Sequence, residues 1–287
     1  MTSTAGDVTC AASSLAGGES LAGTATVASS WLLVEARGAW GRDAVVDSGL
    51  AADVQDALAA FSGKVLLVRR PERRGGVTII RARSEESGGS ATRQEIGSLA
   101  DLPATDFESG DDVAGPIVLV CAHGRRDACC ARLGLPLFEA LNAQLLPTHL
   151  WQSSHLGGHR FAPNVVVLPD GIQLGRIPLE RAADVVRLVT AGRIPLDLYR
   201  GRTDYAPQVQ AAEIAVRSLT GADGIGDLRL VAHDDDRVTF ATPAGDLTVR
   251  VEQRPGPLIP ASCGAEPEPT VELAVSLESA AGVTSAG

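Results

Sequence analysis

An α+β fold built around an α/β unit is what this sequence predicts, and three observations predict it. Short apolar runs such as IVLVC at 117–121 and NVVVL at 164–168 read as buried strands. Segments with helical spacing of Leu, Val and Ala stand apart from them, as in GLAADVQDALAAF at 49–61. Aromatics make up only 3% of the 287 residues against 45% apolar residues, so the cores must be built from Ala, Val, Leu and Ile.

Residues 1–112 read as an N-terminal α+β domain. GTATVASSWLLVEA at 23–36 is β-rich, 49–61 is helical, and the runs at 64–69 and 77–81 are strands. EESGGS at 85–90 is a turn, and the acidic DFESGDD at 106–112 is a linker. The second unit spans 113–195. IVLVC is a strand ending in Cys121, and the helix that follows runs to Asn142 with Leu133, Leu137, Phe138 and Leu141. Thr148–Trp151 is the next strand, and the Gly-containing loop 153–163 leads to the strand Asn164–Leu168. PDG at 169–171 turns the chain back through Ile172–Gly175, and Pro178 opens a helix to Thr190. The order β-α-β, loop, β-β-α is compatible with a thioredoxin-like core. The third segment, 196–287, is α+β. It has a helix at 209–219, strands at 227–232, 237–242 and 246–252, and a tail from about Ser279 expected to be disordered. No internal repeat is obvious.

Composition narrows the function classes. The net charge of −10 argues against a nucleic-acid partner and against an anionic membrane surface. No apolar run reaches membrane-spanning length, and the N-terminus lacks the pattern of a signal peptide. The expected location is therefore cytoplasmic, where clustered cysteines point to a metal or to redox chemistry rather than to disulfides.

Four of the five histidines (His123, His149, His155, His159) and three of the five cysteines (Cys121, Cys129, Cys130) fall between 121 and 159. The pattern is C-x8-C followed by H-x3-H. Structural zinc matches in the His half, but zinc-finger cysteines stand closer together. A Rieske centre matches Cys121-Ala122-His123, yet its C-x2-H half is absent. A [2Fe–2S] cluster with two Cys on one iron and His155 and His159 on the other tolerates the wide Cys spacing. Gly157 and Gly158 would then let the backbone approach the cluster and offer it N–H groups.

CAHGRRDACC at 121–130, followed by WQSSHLGGHRFAPNVVVLPDG at 151–171, resembles the sucrase/ferredoxin-like family. WLLVEARGAWG at 31–41 resembles its N-terminal signature, and the resemblance covers roughly 10–215. The family is similar to thioredoxin-like ferredoxins with H-x3-H in place of C-x3-C. It implies a thioredoxin-like ferredoxin domain at 113–195, flanked by smaller α+β segments, and a [2Fe–2S] cluster held by Cys121, Cys130, His155 and His159. Cys130 is preferred to Cys129 because the family pattern puts its second cysteine ten positions into the motif. No carboxylate pair supports a sucrase.

The resulting expectation is a one-electron carrier rather than a catalyst. The cysteine-bound iron lies inside and the histidine-bound iron nearer solvent. Its potential stands above that of all-cysteine ferredoxins, and its reduction takes up a proton. By analogy alone the donor is an NAD(P)H-dependent reductase. The alternatives are a zinc-stabilised Cys2His2 binding module and a thiol oxidoreductase, although C-x-x-C is absent. His123, Arg125, Asp127 and Arg160 are expected around the site, Arg125, Arg126 or Arg160 offsetting charge and Asp127 capping the helix. Cys129 reads as a packing thiol, Cys10 and Cys263 as unliganded thiols, His149 and His233 as structural or surface residues, and Trp151 as core. The sequence leaves open whether the outer segments cover the site, dock a partner or associate with a second copy.

Overall fold

The computed structural model describes residues 9–71, 75–146 and 149–278. The tail from Ser279 and residue Thr148 lie outside the described residues. Helix α1 (Cys10–Ala16) starts at Thr9, whose hydroxyl accepts from the Ala12 amide. Strand β1 (Ser30–Glu35) is apolar along WLLV and buried on both faces. Helix α2 (Ala52–Ala59) leads into β2 (Lys64–Arg69), β3 (Val77–Arg83) and β4 (Ser90–Ile96). The short β5 (Asp111–Asp112) pairs with β4 at the sheet's edge.

The second half runs β6 (Ile117–Cys121), α3 (Ala128–Asn142), β7 (Leu150–Ser153), β8 (Val165–Leu168), β9 (Ile172–Leu174), α4 (Ala182–Thr190) and β10 (Tyr199–Arg202). Strand β6 is parallel to β7 and antiparallel to β8, and β8 is antiparallel to β9. The resulting order β7-β6-β8-β9 is thioredoxin-like. The mixed α+β fold is thus the one expected. On α3, Leu137, Phe138 and Leu141 are buried, whereas Leu133 lies on the outer side, 36% exposed.

The first half follows the same plan. Strand β1 is parallel to β2 and antiparallel to β3, and β3 is antiparallel to β4. The two halves meet where β2 pairs antiparallel with β7, Val68 opposite Ser153 and Arg69 opposite Gln152. One ten-stranded sheet therefore spans both, in the order β10-β9-β8-β6-β7-β2-β1-β3-β4-β5. The repeat lies in the pairing of strands and not in residue identity. One apolar cluster crosses the seam, joining Trp31, Leu66, Val68 and Ile80 to Leu119, Cys121, Cys130 and Trp151.

The C-terminal segment is a helix on a second sheet. Helix α5 (Pro207–Thr220) opens on Pro207 and ends at Gly221, whose φ of 72° suits glycine. It packs on β11 (Arg229–His233), β12 (Arg237–Thr242), β13 (Gly245–Pro260) and β14 (Pro267–Leu277). The β13–β14 hairpin is long enough to bring its turn back onto α1, where a Cβ on Gly17 would meet Ile259. Among the described residues no helix is long and apolar enough to cross a membrane.

Candidate metal centre

The site forms where β6, β7 and α3 end or begin. Cys121 is the last residue of β6; its amide donates to the Asn164 carbonyl, which fixes that end of the strand. Asp127 caps α3 by accepting from the Cys129 amide at 2.8 Å. The cap places Cys129 and Cys130 in the first turn, where successive side chains point about 100° apart. Cys130 faces Cys121 and His155, whereas Cys129 faces Cys10 and Cys263. Helix α3 lies close on β6 because Gly134 leaves room for the Cys121 carbonyl.

His155 Nδ1 stands 4.0 Å from Cys121 Sγ and 3.8 Å from Cys130 Sγ. The ligand atoms of these three residues lie within 4.8 Å of one another. His159 follows one ring away, its centroid 5.3 Å from that of His155. Its Nε2–H donates to the Ala261 carbonyl, in the turn between β13 and β14, and lies 3.7 Å from Asp127 Oδ2. Its Nδ1 is buried and has no hydrogen-bond partner. Such an atom costs free energy unless something binds it. Burial lowers the pKa of His159 and keeps the ring neutral, the form that ligates metals.

The two cysteines are buried and the two histidines partly exposed. The hydrogen bond from Cys130 pushes the Cys121 thiol well below its ordinary range, and His155 adds to this. The same bond, together with burial, raises Cys130. The pair thus shares a readily ionised thiol, held where a cation would be attracted. Two thiols and two imidazoles, one with an orphaned nitrogen, fit an iron–sulfur cluster as a donor set.

His123 is buried with both nitrogens committed. Its Nε2–H donates to the Gly41 carbonyl at 2.6 Å, and its Nδ1 accepts from the His155 amide at 3.2 Å. It positions the ligand loop and has no nitrogen left for a metal. Trp40 packs edge-on against its ring, so the 31–41 stretch from the first half walls the site. Arg125 is exposed in the loop, and Arg160 pairs with the buried Glu19 at 2.7 Å. Gly157 (φ 92°) and Gly158 (φ 64°) need positive φ, and Cβ atoms there would strike Thr26 and Arg200. The packing of Thr26 and Arg200 against the loop by itself calls for glycine at both positions. His149 Nδ1–H donates to the Pro116 carbonyl at 2.8 Å, and Trp151 is core.

Sequence reasoning missed Arg200. It is buried behind the histidine loop, donating to the Gly157 carbonyl at 3.2 Å and to Asn164 Oδ1 at 2.8 Å. Burial first, and then Arg160, lower its pKa to about 9. It lies on β10, beyond the segment expected to hold the site, and carries no motif of its own. Cys10 and Cys263, expected to be unliganded, meet Cys129 and Asp127 in a second group of potential ligands.

Residues 21–201 match the family model described as Sucrase/ferredoxin-like. Altered inheritance of mitochondria protein 32 from Debaryomyces hansenii is 33% identical over 106 residues, 33% of this chain and 38% of that protein. Its counterpart from Clavispora lusitaniae is 36% identical over 95 residues, 30% and 35% of the respective chains. The matches thus span less than half the length of these curated relatives. Among solved structures, a thioredoxin-like [2Fe–2S] ferredoxin from Aquifex aeolicus is similar at 20% identity with a TM-score of 0.28, covering 31% of this chain and 94% of that one.

Proposed function

The chain belongs to the sucrase/ferredoxin-like family, and from that premise we propose that it is a one-electron carrier whose [2Fe–2S] cluster is held by Cys121, Cys130, His155 and His159. The observation that carries the reading is the orphaned Nδ1 of His159 beside the Cys121–Cys130–His155 group. A bound cluster would supply reversible one-electron chemistry near the potentials of mixed Cys/His centres.

The residues of the chain prepare that chemistry. Cys121 and Cys130 anchor the buried side, and His155 and His159 the side nearer solvent. Neutral imidazoles in place of two thiolates leave the site less negative, which raises its potential. The Ala261 carbonyl fixes the His159 tautomer with the proton on Nε2. His123 does the same for the backbone at His155.

His155 also borders a surface cleft lined by Arg42, Lys64 and Arg126, with Asp43 as its one carboxylate. This places positive charge at the exposed edge of a chain whose net charge is −10. An electron donor with an acidic face, such as an NAD(P)H-dependent reductase, would dock there. The proposed setting is cytoplasmic.

A second reading, zinc held by the same four residues in a binding module, is favoured by the compactness of the Cys121–Cys130–His155 group. Anaerobic purification followed by iron, sulfide and zinc analysis separates the two. About two iron and two sulfide per chain, with a red-brown spectrum lost in a His155→Ala variant, are expected. A colourless protein whose zinc depends on His155 would replace the electron-transfer reading by the zinc one.

A further inference from the structure

We propose that Cys10, Asp127, Cys129 and Cys263 form a second metal site, a structural zinc site distinct from the Cys121–His159 centre. Their ligand atoms lie within 4.8 Å of one another. The sulfurs are 3.5 Å apart for Cys10 and Cys129, 3.3 Å for Cys129 and Cys263, and 3.7 Å for Cys10 and Cys263. Asp127 Oδ1 is 3.2 Å from Cys263 Sγ and 3.8 Å from Cys10 Sγ.

These are close to the edges of a tetrahedron around one zinc ion. Zinc–sulfur bonds of about 2.3 Å set S···S edges near 3.8 Å, and a zinc–oxygen bond of about 2.0 Å sets S···O edges near 3.5 Å. The sulfurs are well beyond the bonded distance of about 2.05 Å in a disulfide, and a disulfide between any two would leave the third cysteine out. Three thiols and one carboxylate make a closed set with no open position, the mark of a structural rather than a catalytic ion. Thiolates favour zinc over the hard cations calcium and magnesium.

The surroundings support the assignment. Cys10 and Cys129 are fully buried and Asp127 nearly so, with Cys263 half-buried. Collecting a carboxylate and three ionisable thiols in one buried place is costly unless a cation joins them. Asp127 is oriented before any ion binds, because the amides of Cys129 and Cys263 each donate to one of its oxygens at 2.8 Å.

The four residues come from three distant places: the start of α1, the first turn of α3, and the turn between β13 and β14. An ion there would staple the two ends of the chain to the central domain. The staple holds the turn whose Ala261 carbonyl fixes His159, and its Asp127 lies against the same imidazole. Its purpose would be to keep the C-terminal hairpin closed over the first centre.

The test is metal content of the full-length chain grown with zinc, compared with Cys10→Ser, Cys263→Ser and the double variant. About one zinc per wild-type chain is expected, retained in His155→Ala and lost at least tenfold in the double variant. The visible spectrum of the first centre should persist in Cys263→Ser. Cobalt(II) loaded into zinc-depleted wild-type protein should give the intense visible bands of a tetrahedral thiolate site, and these bands should be absent from Cys263→Ser. This second readout decides the matter should the double variant not fold. Wild-type protein without zinc that also gives no cobalt–thiolate bands would overturn the proposal. So would zinc that follows His155 instead of Cys263, or an intact mass two units light without reductant, which marks a disulfide. If the first centre held zinc instead of iron, the wild-type count would rise to about two, and Cys263→Ser would still remove the one ion that His155→Ala leaves in place.

Discussion

At His159 the two ring nitrogens face different fates, and that asymmetry sets what a substitution there does. Nε2–H is committed to the Ala261 carbonyl, and Nδ1 has no protein partner. A thiolate at this position adds negative charge to the site, so His159→Cys should keep a cluster and lower its potential. Protein-film voltammetry reads this directly, and an unchanged potential and spectrum would show that His159 is not a ligand. The sign of the pH dependence follows from the same ring. In the proposed centre the reduced cluster would carry more negative charge and hold an imidazole proton more tightly than the oxidised one. Above the oxidised-state pKa, reduction therefore takes up a proton and the potential falls as pH rises, by up to about 59 mV per pH unit for one proton per electron. His159→Cys should flatten that slope in part, leaving whatever His155 contributes. A wild-type potential constant between pH 6 and 10 would contradict proton coupling.

Helix α5 gives a test at the scale of an element. Glu213 and Arg217, four residues apart on its buried face, form an ion pair at 2.9 Å with side chains 1% and 0% exposed. Tyr199 donates to Glu213 at 2.9 Å, and Arg217 also donates to the carbonyls of Ala222, Gly224 and Ile225. Burial raises the pKa of Glu213, and Arg217 opposes that rise. Arg217→Met removes the largest part of that opposition, leaving Arg202 and Tyr199, and strips a buried carboxylate of its ion-pair partner, a loss of about 3–5 kcal/mol at neutral pH. The folded-state pKa of Glu213 then lies further above its unfolded value. Above the unfolded value the folded state binds more protons than the unfolded state, so stability falls as pH rises. Urea melts at pH 5 and pH 8 should show the variant closer to wild type at pH 5, and an equal gap at both pH values would mean that Glu213 stays ionised. Elements of this kind were partly legible in the sequence. The helical spacing at 209–219 located α5, and the apolar runs located β6 and β8. Strand β13 was expected over 246–252; instead a register shift between Pro255 and Leu258 lets it run through Pro255-Gly256-Pro257 to Pro260. Strand β14 was missed because Pro267 and Pro269 argue against a strand, yet it is the edge of its sheet, where proline is tolerated. The clustering of Cys121, Cys130, His155 and His159 was visible in the sequence because they flank or lie in the β6–α3 and β7–β8 connections, close together along the chain. Cys10 and Cys263 were not, since they stand 119 and 134 residues from Cys129 and only the tertiary fold joins them.

At the scale of the whole molecule, the candidate centre is supported from almost every part of the chain. The central segment supplies the four proposed ligands, while Gly41 and Trp40 hold His123 from the first half of the sheet. Arg200 braces the histidine loop from β10, and the Ala261 carbonyl reaches His159 from the C-terminal hairpin. At the seam, beyond the β2–β7 register, Ser154 and Leu67 exchange two hydrogen bonds at 2.8 and 3.1 Å, and Arg69 donates to Gln152 Oε1 at 3.0 Å. The strength of the seam lies in the shared apolar cluster, where fully buried Trp31 and Trp151 are the largest side chains. Cutting the chain to 113–195 removes Trp31, Leu33, Leu66, Val68 and Ile80 from that cluster and exposes the edge of β7. Truncating one large buried side chain in such a core costs about 3–5 kcal/mol, a large part of the stability of a domain this size. An uncovered edge strand also invites association. The 113–195 fragment should therefore melt without a cooperative transition or elute as aggregates, whereas a fragment covering 9–278 should melt cooperatively as a single unit. Circular dichroism melts with size-exclusion chromatography make the comparison. A monomeric, cooperatively melting 113–195 fragment would mean that the thioredoxin-like half stands alone and that the first half only walls the site. Failure of that fragment alone would make the doubled sheet the unit that folds, with the centre assembled only when both halves are present.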